Sequence, residues 1–260
     1  MPFTGSAGII AVGLLFGVSV SVGAQSPFLF ATQPPSIAER VTMSADAGYN
    51  ARAFEPVAGE RLEPRATLVT MLSPLFSVHG QLAGASTLDR RTRLSDQVEF
   101  MVTPVRSGAI AVGSSLGFRH EYSGADVGLA RVVAARTTSR SGLAADVLLE
   151  HAFAPGRDAV DVITTVGATR ALTQRVWLGV EAVGSDLEGL IDSAEAEGGA
   201  TVLIGPTVAV GVSDRWRLLL GGGPVVRATT NKALNQVGPS LGVPNGQAGY
   251  VLRVSLRRVW

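Results

Sequence analysis

The sequence has no cysteine in 260 residues and one lysine, Lys232. Without cysteine there is no disulfide framework, no thiolate nucleophile and no thiolate metal site. With little lysine and a formal net charge of +1, there is no basic surface of the kind that nucleic acid requires. The histidines are three, His79, His120 and His151, and none has another two residues away. They read as lumen or interface residues rather than ligands. No H-E-x-x-H motif and no phosphate-loop lysine motif is present. The expectation is therefore no metal, no cofactor and no catalytic residue. Past residue 24, glycine, proline or a charge interrupts every apolar run before the roughly 20 residues that a membrane helix needs.

The chain is nonetheless apolar. Hydrophobic residues make up 46 %, mean hydropathy is +0.30, and there are 31 glycines. At the start, "GIIAVGLLFGVSVSV" (8–22) is an uncharged run followed by "GAQS", with Val22 and Ala24 at −3 and −1 of a cleavage point. Residues 1–24 read as a secretory signal, although "MPFTGSA" lacks the usual basic residue. Residues 25–39, "QSPFLFATQPPSIAE", are proline-rich and do not alternate. They read as a periplasmic lead-in, too short for a plug domain.

From residue 40 to 260 the apolar residues recur at every second position, which is the strand period. In "RVTMSADAGY", Val41, Met43, Ala45, Ala47 and Tyr49 share a face opposite Thr42, Ser44, Asp46 and Gly48. In "RLSDQVEFMV", Leu94, Val98, Phe100 and Val102 oppose Ser95, Gln97 and Glu99. In "AIAVGSSLGFRHEY", Ile110, Val112, Leu116, Phe118 and Tyr122 oppose Gly113, Ser115, Arg119 and Glu121. Within 125–138, Arg131 and Arg136 fall on opposite faces, so either a bulge or a wrong face assignment is expected there. About twelve strands emerge (ten to fourteen), starting near 40, 65, 75, 93, 108, 125, 142, 159, 175, 199, 216 and 247.

Tight connectors, "SP" at 73–74, "TQR" at 173–175 and "SDR" at 213–215, follow even strands; the long ones, 50–64, 187–198 and 229–246, follow odd strands. "SPLFSVHGQLAG", "TQRVWLGVEAVG" and "SDRWRLLLGGG" form a loose repeat of turn, strand and glycine. An all-β, single antiparallel up-and-down transmembrane β-barrel has this layout, with short turns at one end and long loops at the other.

The terminus supports that class. In "GYVLRVSLRRVW", Tyr250, Leu252, Val254, Leu256 and Trp260 share one face, and Arg253, Ser255 and Arg257 the other. A last strand ending on an aromatic, apolar at alternate positions, resembles the C-terminal signature of bacterial outer-membrane β-barrel proteins. Arg258 departs from that pattern. The resemblance implies the outer membrane, surrounded by its lipid and lipopolysaccharide, and recognition of these five residues by the barrel-insertion machinery. Oligomeric state is left open.

No enzyme is expected. "GSSLG" (113–117) matches a nucleophile elbow around Ser115 but lies inside a strand. The acidic loop 185–199 lacks cation-loop spacing. Inward positions carry acids on one set of strands, Asp146, Glu150, Asp161 and Glu181, and arginines on the last two, Arg217, Arg227, Arg253 and Arg257. These eight are the expected lumen-lining residues. The leading reading is a small porin-like channel or transporter for small polar solutes. The alternatives are a plugged structural or adhesion barrel acting through its loops, and a soluble periplasmic lipocalin-like barrel.

Overall fold

The structure, a computed structural model, describes residues 26–49, 62–86, 92–154, 160–185, 187, 200–228 and 248–260. The proposed signal 1–24 and most of the acidic loop lie outside the described residues.

Twelve strands follow one another: β1 Val41–Tyr49, β2 Leu62–Met71, β3 Phe76–Ser86, β4 Thr92–Ser107, β5 Ile110–His120, β6 Asp126–Thr137, β7 Ser141–Ala152, β8 Asp161–Ala171, β9 Val176–Ser185, β10 Ala200–Gly211, β11 Trp216–Ala228 and β12 Ala248–Val259. Each pairs antiparallel with its neighbours in sequence, and β1 closes on β12. Closure leaves no sheet edge, which is the condition for a sheet to cross hydrocarbon. No helix among the described residues is long and apolar enough to cross a membrane.

The three repeated turns share one mechanism. The N–H of Ser73 donates to the carbonyl of Phe76, and Ser73 Oγ accepts from the N–H groups of Leu75 and Phe76. Thr173 does the same with Arg175 and Val176, and Ser213 with Arg215 and Trp216. A hydroxyl at that position satisfies two backbone donors locally, which is why Ser or Thr recurs there. Gly108, at φ 57°, supports the two-residue turn between β4 and β5. These turns lie at the end of the barrel where β1 begins and β12 ends, the periplasmic end of such a barrel.

Alternation holds in space. On β7, Leu143, Val147 and Leu149 are exposed while Asp146 and Glu150 are buried. On β12, Tyr250 is 54 % exposed and Leu252, Val254 and Leu256 lie beside it on the outer surface, opposite Val251, Arg253, Ser255 and Arg257. An apolar belt of this extent in water would be an aggregation surface; against lipid it is the required coat. Charges inward and apolar residues outward set aside the soluble-barrel alternative. The chain is a closed, membrane-spanning β-barrel. Trp260 completes the seam: its N–H donates to the carbonyl of Val41 (3.0 Å). Arg258, the residue that departs from the terminal pattern, lies 5.3 Å from the Trp216 ring and 4.4 Å from the Trp260 ring. A cation stacked on two indoles at the interface replaces the missing apolar side chain.

Three expectations differ from the structure. The β5–β6 and β6–β7 ladders run without a shift through 126–137, so there is no bulge there. Arg131 points inward, and Arg136 stands exposed at the periplasmic end of its strand, where an outward charge meets water. The irregularity sits instead on β4 between Val102 and Val105. It contains Pro104, which has no N–H for the ladder. Tyr122 lies past β5 in the following turn and folds in against Ala83 and Ala85 rather than facing lipid.

The third difference bears on function. Residues 26–32, expected to belong to a periplasmic lead-in, lie inside the barrel, and Ile37 to Glu39 stand at its mouth.

Candidate functional site in the barrel lumen

Between Ser26 and Thr32 the chain runs without regular secondary structure, so its backbone groups need partners from elsewhere. The wall supplies them. Glu181, on β9 and 1 % exposed, accepts the N–H of Leu29 on Oε1 (2.8 Å) and those of Phe30 and Ala31 on Oε2 (2.8 and 2.7 Å). Thr207 on β10 donates its hydroxyl to the same Oε1 (2.7 Å). Asp146 on β7 accepts the N–H of Thr32 (2.9 Å). From β12, Arg257 donates to the carbonyls of Ser26 (3.0 Å) and Phe28 (3.4 Å). The segment is thus gripped by carboxylates on its donors and by a guanidinium on its acceptors.

Its side chains fill sockets. Phe28, 1 % exposed, packs with Ala31 against Ala135 and Ala144. Glycines make the room: a Cβ on Gly167 would stand 2.7 Å from Phe28 Cδ1, and one on Gly221 would stand 2.9 Å from Leu29 Cδ2. Leu29 packs on Trp177, Ala209 and Leu219. Phe30 packs against the Val183, Leu203, Val225 and Val251 cluster, with the Arg253 guanidinium 5.9 Å from its ring. Burial of Phe28 and Leu29 stabilises the seated segment by about 1.5–3 kcal/mol each.

A second network flanks the segment. Arg131 on β6 bridges Asp146 (2.8 Å) and Glu99 (3.1 Å) and donates to Thr32 Oγ1 (3.1 Å). Ser115 Oγ donates to Glu99 (2.6 Å). Arg119 on β5 makes a two-pronged pair with Glu150 on β7 (2.7 and 2.6 Å) and reaches Glu121 (2.9 Å). Arg65 pairs with Glu63 on β2 (2.5 Å), and Arg253 lies 3.6 Å from Asp46. Charges taken out of bulk water in this way persist when paired and hydrogen-bonded.

Of the eight residues expected to line the lumen, Asp146, Glu150, Glu181, Arg217, Arg253 and Arg257 are placed there, and Asp161 lies on the same face of β8. Arg227 pairs in register with Thr201, but its side chain lies outside the described residues. Asp146 and Glu150 pair with Arg131 and Arg119, whose role sequence reasoning missed. Parity had placed Arg119 on the polar face; Arg131 was obscured by Arg136. Glu181 and Arg257 meet through the backbone of residues 26–31.

Ser115 faces the lumen, while His120 is exposed and bonds to Asp126 (2.7 Å). Among the described residues no cluster of three His, Asp or Glu is gathered as a metal site.

The seated segment leaves a cavity of about 340 Å³ beside it. Its wall on β1 to β4 presents Thr42, Ser44, Thr67, His79, Gln81 and Gln97, together with the ion-paired Asp46 and Arg65 and the apolar Val69. At the periplasmic mouth stands Glu39. Burial pushes its carboxyl up to about 7, against the opposing pull of Arg257 and Arg217.

No family model and no curated protein matches the sequence. Solved structures do. The NanC porin aligns over 84 % of this chain and 100 % of its own, with a TM-score of 0.60 and 9 % identity. The KdgM porin in complex with disordered oligogalacturonate aligns over 84 % and 99 %, with a TM-score of 0.58 and 7 % identity. The KdgM porin solved alone gives 0.57 at 7 % identity. At such identities the likeness is one of fold.

Proposed function

We propose that the barrel is a narrow channel for small, uncharged, hydroxylated solutes, passing between the seated segment and the β1–β4 wall. One observation carries this: the cavity wall on β1 to β4 presents mostly hydroxyls and amides, while the arginines lining the cavity are engaged, Arg65, Arg119, Arg131 and Arg253 with carboxylates and Arg257 with backbone carbonyls. Hydroxyl and amide groups exchange hydrogen bonds with a polar solute without holding a counterion. Fold likeness to porins, one seen with an oligogalacturonate, supports a solute of saccharide type. In this reading the chain is a conduit rather than an enzyme, with Ser115 acting as a donor to Glu99. The outer-leaflet lipopolysaccharide and the insertion machinery belong to the same proposal as partners, through the belt and the C-terminal signature.

The test is liposome swelling with neutral sugars of increasing size, alongside conductance in a planar bilayer. Uptake of mono- and disaccharides with weak ion selectivity is the expected result. Strong anion or cation selectivity would contradict the paired-charge argument. Complete impermeability would favour the plugged structural barrel, a reading that the occupied lumen itself supports.

A further inference from the structure

The segment is held as a ligand is held. The contacts to Glu181, Asp146 and Arg257 fall on three kinds of backbone position: a run of consecutive N–H groups, one further N–H, and two carbonyls. Side chains enter separate apolar sockets, one floored by glycine at Gly142 and Gly167. Backbone recognition for affinity with sockets for side-chain choice is how proteins bind extended peptides. Nothing in the arrangement resembles a site for a sugar or a lipid. The contacts to the segment come from β6 to β12, so the occupant covers one wall and leaves the other lined by water-seeking groups. The segment joins the barrel covalently at one end, through residues 33–40.

We propose that the inner wall from β6 to β12 is a peptide-binding site, and that Ser26–Thr32, "SPFLFAT", is its tethered resident ligand, a plug that exchanges between seated and unseated states and so sets the bore of the channel. The binding half of this proposal stands on the contacts alone; the gating half rests on the proposed channel function.

A tether supplies an effective concentration on the order of millimolar. In the wild type, free peptide at lower concentration therefore cannot compete. The test uses the full chain with its own ligand weakened, the triple variant Phe28→Ala, Leu29→Ala and Phe30→Ala, checked for folding by heat-modifiable gel mobility. The probe is a fluorescein-labelled synthetic peptide of sequence SPFLFAT, followed by anisotropy in detergent.

The expected result is saturable binding to the triple variant, no binding to the wild type at the same concentrations, and clear weakening when Glu181→Gln is added to the variant. In a planar bilayer the triple variant conducts several-fold more than the wild type. Peptide added from the periplasmic side returns the current toward the wild-type level.

Failure of the peptide to bind the folded triple variant overturns the proposal. So does equal binding of a scrambled peptide, since that is adsorption and not a site. Binding without any conductance in either protein keeps the site and sinks the channel reading. Wild-type conductance without peptide binding does the reverse. Should the triple variant fail to fold, the single variant Phe28→Ala takes the same measurements, because that truncation weakens the resident segment by emptying one socket and leaves the wall that binds the peptide unchanged.

Discussion

Glu181 offers the sharpest test of how the lumen is occupied. One carboxylate carries four hydrogen bonds: Leu29 N–H and the Thr207 hydroxyl on Oε1, Phe30 N–H and Ala31 N–H on Oε2. In Glu181→Gln one oxygen becomes an amide NH₂, which cannot accept. If the NH₂ replaces Oε2, two backbone donors face a donor. If it replaces Oε1, the Thr207 hydroxyl turns and accepts, and only the Leu29 N–H is orphaned. The second orientation costs less and is the one adopted. An orphaned buried N–H costs about 1–3 kcal/mol, or about 5- to 150-fold in the equilibrium between seated and released segment. Hydrogen exchange followed by mass spectrometry reads this at the amides of residues 29–31. They exchange faster in the variant by a factor in that range, while amides of the strand ladders do not change. Glu181→Ala orphans all three N–H groups and accelerates exchange further, limited by water entering the vacated space. Unchanged exchange at 29–31 in a folded Glu181→Ala variant would refute the argument, since it would mean the sockets alone seat the segment.

Two further predictions address other parts of the structure. Val254 faces lipid between Leu252 and Leu256, so Val254→Arg places a charge in hydrocarbon at a cost of roughly 2–4 kcal/mol near mid-membrane; folded yield on gel mobility falls, whereas Arg253→Ser on the inner face leaves it near wild type, and equal losses would mean the parity is wrong. The second concerns pH. Glu39 has a carboxyl pushed up to about 7 while the segment is seated, chiefly by burial and against Arg257 and Arg217. On release it returns toward the ordinary value of 4.5. An acid with a raised pKa in the seated state favours that state when protonated. The segment is held best below about 4.5, loses hold as pH rises from there to about 7, and changes no further above it. Conductance therefore rises with pH across that window and is flat in Glu39→Gln; a rise on acidification would show the sign to be wrong.

The strands were legible because two independent constraints wrote them into the sequence. Lipid outside and polar groups inside impose the two-residue period, as Leu143 to Glu150 shows on β7. Closure with tight turns requires a hydroxyl at one turn position, which fell to Ser73, Thr173 and Ser213. Both constraints act over a few residues, so a local reading finds them. Arg136 shows the limit of that method. Parity assigned by charge fails at a strand end, where outward charge reaches water, and the false conflict with Arg131 concealed the central cation of the lumen.

The plug escaped for a different reason. Leu29 and Glu181 stand 152 positions apart, and nothing in either neighbourhood names the other. One signal was present: "FLF" at 28–30 lies between Pro27 and the pair Pro34–Pro35, apolar residues with no partner in a segment read as solvated. Three consecutive apolar side chains outside a strand need somewhere to be buried, and in a barrel whose outside is lipid the remaining dry place is within. The charge pattern pointed the same way. Glu181 on β9 and Arg257 on β12 set a carboxylate and a guanidinium apart on the wall, and such separated charges must be neutralised, as Arg131 and Arg119 neutralise Asp146 and Glu150. Water, a solute or side chains spanning the bore are three ways to do it. A peptide backbone is a fourth, because each unit carries a donor and an acceptor at fixed spacing, so one short segment answers both charges at once. A carboxylate and a guanidinium held apart on the wall of a lumen, together with an apolar, proline-flanked stretch next to the first strand, is therefore a pattern that predicts an internal peptide occupant narrowing the pore.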